Sequence, residues 1–274
     1  NIKARTRICE NRWLNIVLTD AHVNFSHKDL INSVDQLITE GREGGVSRYL
    51  AVNSNLYEIE TDYNLVKNYD FVDLSIGHHP YLCSEVDQDS FKVLLDKYID
   101  SYKTKIKVIG ETGLDFSYDV KPINQIKSFK LHIESAIKNN LPILIHVRDA
   151  FDETFNILSD YKSELKTVLI HCFTGDDNYA EKFMELGCYF SITGIITFKN
   201  ADKLRGTIKK LPKNKIFFET DSPYLTPVPM RGEINKPSLL KHVIEYYCEL
   251  TDEDFTDIAY ISSKNYERFI SCQP

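Results

Sequence analysis

No apolar run in the 274 residues is long enough to span a bilayer, so no membrane partner is expected. The six cysteines, Cys9, Cys83, Cys172, Cys188, Cys248 and Cys272, are scattered and contain no CxxC pair. In a chain of this size they read as reduced thiols, not a disulfide framework, which suits a cytoplasmic location. No secretory signal is visible. The chain begins at Asn1 and not at Met, so an upstream targeting segment stays open. No dense Lys/Arg tract occurs, and the formal net charge is −7. That argues against a protein that coats duplex nucleic acid, while leaving room for local phosphate contacts. Gly/Ser/Pro-rich linkers, internal repeats and low-complexity tracts are missing too, and a single domain is expected.

What is present is alternation. Hydrophobic residues make up 42% of the chain, enough for a sizeable core. Eight short apolar or β-branched runs stand out: 15–23, 47–52, 71–77, 107–111, 142–147, 167–172, 188–193 and 215–221. Between them lie helical spacings, such as Leu30, Ile31, Val34, Leu37 and Ile38, or Ile126, Phe129, Ile133, Ala136 and Ile137. Repeated strand–helix units predict a buried parallel sheet, and eight of them in about 250 residues suffice for a (β/α)8 TIM barrel. An open doubly wound sheet is the alternative, since pattern alone does not show closure. Residues 1–14 precede the first strand and read as an N-terminal arm, leaving 15–274 as the barrel domain.

In a closed barrel the C-terminal strand ends converge on one face. Those ends carry His22 and Asn24, then His78 and His79, Glu111, His146, His171 and Asp221. His22, His146, His171, Glu111 and Asp221 form a ligand set for divalent cations: imidazole suits Zn2+, and carboxylate oxygen also suits Mg2+ and Mn2+. Five such ligands suffice for two ions about 3.5–4 Å apart if one carboxylate bridges them. Glu111, from a middle strand, is the natural bridge. Each residue alone has a blander reading, as a loop-bonded histidine, an N-capping aspartate or a surface ion-pair partner. Their co-occurrence on five strand ends favours the metal.

The segments "DAHVN", "GETGLD", "LIHVRDA", "IHCFTG" and "ETDSPYLTP" resemble, in order and spacing, the TatD-type metal-dependent deoxyribonucleases, a branch of the amidohydrolase-like barrel hydrolases. The resemblance runs from about Asp20 to the last helix. It implies that His22 and Asp221 hold a first ion, with Asn24 beside them, and that His146 and His171 hold a second. Glu111 would bridge the two, and Asp221 would also orient the attacking water. His79 resembles a family histidine near the phosphate pocket, and "RGEINKP" places Arg231 and Asn235 in a loop that resembles the family's substrate-binding one. Arg148 would either contact phosphate or pair with Asp149 or Glu153. The implied activity is hydrolysis of DNA phosphodiester bonds, from the 3′ side, by metal-activated water, with single-stranded DNA or 3′ ends as the expected substrate.

Three positions depart from that pattern. Asn24 stands where much of the family has a second histidine, which predicts a looser first ion or a preference for Mg2+ or Mn2+. Tyr81 replaces a histidine, and the Ser117–Tyr118 stretch replaces a basic residue, removing one expected phosphate contact. Glu219 is read as a carboxylate behind the ligands, and Asp115 as a turn residue. His78 should face away from the site, and His27, His132 and His242 are assigned to surface or core. The aromatic residues are assigned to packing before base stacking. Two rival functions remain: an amidohydrolase acting on a small cyclic amide or lactone, and a barrel that has lost its chemistry and only binds.

Overall fold

The computed structural model describes residues 17–84 and 88–271. The expected arm, 1–14, lies outside them. Eight strands form one parallel sheet in sequence order: β1 Leu18–Val23, β2 Val46–Ala51, β3 Val72–Ile76, β4 Ile106–Asp115, β5 Ile143–Arg148, β6 Val168–Ile170, β7 Tyr189–Ile192 and β8 Ile216–Phe218. A bridge between Val23 and Ser222 brings the first strand against the segment after the last. The Asp221 amide donates to the His22 carbonyl at 3.0 Å, and the Asn24 amide donates to the Ser222 carbonyl at 3.0 Å. The sheet is thus a barrel and not an open layer.

Helices α1 Val34–Glu43, α2 Ile59–Val66, α3 Gln88–Ser101, α4 Pro122–Asn139, α5 Phe151–Asp160, α6 Asp177–Glu185, α7 Asp202–Ile208, α8 Leu240–Thr251 and α9 Phe255–Ile270 alternate with the strands, the last two following β8 in succession. Local chemistry sets several of their ends. Pro122 opens α4 at the first turn, where its missing N–H costs nothing, and Asn140 closes it in the left-handed conformation. Asp176 and Asp254 accept amide protons at the starts of α6 and α9. The face expected to start at Leu30 is divided: Ile31–Ser33 forms a 3-10 turn and α1 begins only at Val34. Ser33, at φ −131°, interrupts the regular helical dihedrals between the two.

Two apolar layers follow. The larger one lies between the sheet and the surrounding helices, and includes Ile143, Ile145, Ile170 and Phe218. The smaller one contains Leu50, Val108, Leu144, Leu169, Tyr189 and Phe217 from the strands, with Tyr266 and Phe269 of α9 packed among them. Alternation along β5, β6 and β8 therefore sends Leu144, Leu169 and Phe217 inward, and His146, His171 and Glu219 follow two residues later on the same side. On β1 and β4 the register shifts between Asp20 and Val23 and between Ile109 and Thr112. These shifts re-aim side chains: Ala21 belongs to the inner layer, yet its neighbour His22 reaches the site.

Candidate metal centre

Glu111 sits at the centre of the C-terminal face, and its two carboxylate oxygens look in different directions. Oε1 lies 3.1 Å from His146 Nδ1, 3.0 Å from His171 Nε2 and 3.5 Å from His79 Nε2. Oε2 lies 3.7 Å from His22 Nε2 and accepts a hydrogen bond from Ser54 Oγ at 3.1 Å. His22 Nε2 in turn stands 3.5 Å from Asp221 Oδ1 and 3.4 Å from Asn24 Oδ1. Asn24 Nδ2 donates to Asp221 at 3.2 Å, so its amide oxygen is left facing His22. Two half-sites thus share one carboxylate: His146 and His171 on one side, His22, Asn24 and Asp221 on the other.

Carboxylates stand behind two of the imidazoles. His146 Nε2 is 2.9 Å from Asp115 Oδ2, and His171 Nδ1 is 3.1 Å from Glu219 Oε1, which also accepts the Cys172 amide at 2.9 Å. Each partner fixes the tautomer that turns the other ring nitrogen toward Glu111. Ligand atoms of His22, His171 and Glu219 do fall within 4.8 Å of one another. With Oε1 engaged by His171 and the Cys172 amide, however, Glu219 acts as an orienting group and not as a first choice of ligand.

The donor set fits divalent cations. His146 Nδ1 and His171 Nε2 face each other at 3.4 Å, with little to gain from each other unless something cationic lies between. Two imidazole nitrogens bound to one tetrahedral ion, at about 2.0–2.1 Å each, stand roughly this far apart. Buried His22 Nδ1 and Glu219 Oε2 have no hydrogen-bond partner, so the cluster is not satisfied by protein groups alone.

Electrostatics agree. Burial opposes the charge on Glu111, but His79 and His171, with hydrogen bonds from His146 and His171, hold the carboxyl well below its usual range. Burial drives His79 itself down to about 3, so its imidazole is neutral at pH 7. Burial also opposes a charge on His171, yet Glu111 and Glu219 raise it well above the ordinary histidine value. His146 is raised too, by Asp115 and Glu111 against its burial. Asp221 is raised chiefly by burial, partly offset by His22 and His171. Protons on imidazoles here occupy positions that a cation would take.

The cluster floors a cavity of about 1020 Å³ lined by Asn24, His79, Glu111, His146, His171 and Asp221, with Lys28, Arg148, Tyr81, Tyr118 and Tyr224 among the wall residues. Arg148 is exposed and makes no ion pair with Asp149, Glu153 or any other described residue. His79 accepts the Tyr81 amide through Nδ1 at 3.2 Å, leaving Nε2 as its donor toward the site. His78 points away, to the Leu82 carbonyl, as expected.

Two sequence-derived candidates fall outside the lining. The Arg231 guanidinium stacks on Phe198 at 3.9 Å, and Asn235 is fully buried, donating to the Thr220 and Tyr224 carbonyls and so bracing the loop after β8. Other residues escaped the sequence reading. Asp115 is on the site because β4 continues four residues past Glu111. Ser54 donates to Glu111, and the Asn53 carbonyl accepts the Glu111 amide at 3.2 Å. His27, expected to be a surface or core residue, lines the cavity against Tyr224. Polar "NSN" after β2 was the available signal, since that strand end faces the same mouth.

A parallel barrel with a shared carboxylate among imidazoles at its C-terminal face defines a metal-dependent hydrolase. Residues 19–271 match the family described as TatD related DNase, and the chain belongs to that family. An uncharacterized metal-dependent hydrolase of Bacillus subtilis is 33% identical over 92% of this chain and 98% of its own length. One from Buchnera aphidicola is 36% identical, covering 91% of this chain and 97% of the relative. The crystal structure of a TatD homologue from Escherichia coli K12 superposes with a TM-score of 0.87 at 24% identity, covering 92% and 97% of the two chains. Among the described residues no helix is long and apolar enough to cross a membrane.

Proposed function

We propose that this hydrolase cleaves phosphodiester bonds of DNA, working from the 3′ end. The observation that carries the reading is the division of Glu111: one oxygen serves His146 and His171, the other serves His22, with Asn24 and Asp221 beyond it. Such a carboxylate suits two cations, and a two-cation site suits in-line displacement at phosphorus. Mg2+, Mn2+ or Zn2+ held by these residues would lower the pKa of bound water and neutralise charge on the phosphoryl oxygens.

The chain's own groups supply the rest. Asp221, half-buried and with its pKa raised chiefly by desolvation, would hold the nucleophilic water and take its proton. His79, neutral and donating through Nε2, is placed to bond a non-bridging oxygen. Lys28 and Arg148 stand on a wall of mixed charge, beside Glu58, Asp62 and Asp149, and offer two cations to the phosphate backbone. Asn24 offers a neutral amide oxygen, which favours oxygen-preferring Mg2+ or Mn2+ at that half-site. The rival reactions on cyclic amides or lactones have no feature of their own here.

The test is a product ladder from end-labelled single-stranded DNA and RNA under each metal. Stepwise shortening from the 3′ end, abolished by chelator and reduced at least about 10³-fold in Glu111→Gln, is expected. Turnover of a lactone with no release of nucleotides under any metal would reverse the assignment.

A further inference from the structure

The mouth of the cavity carries an aromatic rim that the metal cluster does not use. Tyr81, Tyr118 and Tyr224 all line the opening, yet 44%, 46% and 51% of their surfaces remain exposed. They come from three separate loops: after β3, after β4 and after β8. Tyr81 and Tyr118 stand 5.6 Å apart at an interplanar angle of 44°, and the His79 ring lies beside both at 4.6 Å and 6.3 Å. Tyr224, on the far side, meets His27 edge-on at 5.3 Å. Burial raises the Tyr224 phenol, and Asp221, Tyr81 and Tyr118 add to it, so the three phenols lie within electrostatic reach of one another. None of the three hydroxyls has a hydrogen-bond partner among the described residues, so polar bonding does not explain why tyrosines gather here.

Packing does not explain it either. A ring that serves the core is covered, as Tyr49, Tyr247 and Tyr266 are, with 0–2% of their surfaces exposed. Rings left half in water around a single opening are apolar faces awaiting a flat partner. Where the TatD resemblance implies a histidine and a basic residue, this chain has Tyr81 and the Ser117–Tyr118 stretch. The rim thus presents ring faces, with Lys28 and Arg148 as cations on the same wall.

We propose that Tyr81 and Tyr118 form a stacking platform for the bases of an unpaired strand end, with Tyr224 closing the opposite side. The inference rests on the phosphodiesterase reading and deepens it to the residues that hold the strand, through base faces and not through base edges. Stacking tolerates any base, because every base has a π-face, and is worth about 1–3 kcal/mol per base. Bases inside a duplex present no free face, so paired ends are disfavoured until they fray. His79 links the platform to the chemistry, since its ring touches both tyrosines while its Nε2 faces Glu111.

The test compares a single-stranded oligothymidylate with the same strand carrying tetrahydrofuran abasic residues at its last three 3′ positions. The metal-loaded enzyme is used as wild type, Tyr81→Ala/Tyr118→Ala and Tyr81→Phe/Tyr118→Phe. For the wild type, KM should be about 10–100-fold lower on the base-bearing strand. The double alanine variant should bring that ratio close to one, and the double phenylalanine variant should preserve it. An equal loss on both strands in the alanine variant, or an unchanged ratio, would overturn the platform. Failure of the wild type to cut either strand would instead reject the phosphodiesterase reading. Stacking is read separately by quenching of 2-aminopurine at the 3′ end, with the metal chelated: quenching lost in the alanine pair and kept in the phenylalanine pair supports the platform, and no quenching in the wild type refutes it.

Discussion

Residue by residue, the centre is built from charges that would be costly alone and become favourable through their neighbours. Glu219 shows how far that dependence reaches. It is wholly buried, is engaged by His171 through one oxygen and leaves the other unpartnered. Because His171 carries a proton well above the ordinary histidine pKa, a divalent ion must displace that proton to bind. Affinity for metal should therefore rise with pH through 6.5 and level off only above the raised value. In Glu219→Gln one of the two carboxylates that raise His171 is gone while Glu111 remains, so the rise should shift to lower pH while the plateau affinity falls about 10–100-fold. Metal titration between pH 6 and 9 on both proteins would show it; identical profiles would rule out Glu219 as the orienting group. The sequence marks Asp115 as a turn residue, and its side chain does accept from Ser117. Its second oxygen meets His146, a role that pattern does not reveal because the apolar run stops at Glu111.

Among the elements, β4 and β5 illustrate what spacing conveys and what it misses. Eight apolar runs were legible because strand length and polarity repeat, and each corresponds to an observed strand within a few residues. Histidines ending β5 and β6 were legible too, since alternation continues unbroken from Leu144 and Leu169. On β1 and β4 alternation fails at the register shifts, which depend on neighbouring backbones and leave no periodic trace. Gly113 shows the cost of that proximity: its φ is +138°, and a Cβ there would lie 2.0 Å from the His146 carbonyl oxygen. Gly113→Ala should destabilise the fold by more than about 1 kcal/mol and displace His146. Denaturant unfolding would measure the first effect and metal affinity the second; a variant as stable as the parent would show that β4 and β5 can separate freely. The divided start of α1 has the same kind of origin, since an unbroken apolar face did not register the turn at Ile31–Ser33.

For the molecule as a whole, closure turns scattered residues into one centre, and the bound ions should return stability to it. Ligands from β1, β4, β5 and β6 and the segment after β8 would be tied together, and binding to the folded state alone adds about 2.7 kcal/mol at a hundredfold excess over Kd. Adding Mn2+ or Zn2+ to metal-free protein should raise Tm by several degrees, more at pH 8 than at pH 6, and chelator should reverse it. A Tm indifferent to metal at both pH values would mean that the half-sites hold no cation. Closure itself could not be read from pattern; it needed the contacts between Val23 and Ser222.

The inner layer carries a consequence for how the chain is made. Tyr266 and Phe269 lie near its end, yet they fill the base of a barrel whose first strand begins at Leu18. Ser263 donates to the Val17 carbonyl at 2.7 Å and meets Thr19 at 3.2 Å, so the start and finish of the fold are fastened to each other. During translation the floor stays open to water until the closing helix leaves the exit tunnel. A nascent chain arrested before Phe255 would be a bottomless cylinder, with every apolar ring of its inner wall available to chaperones.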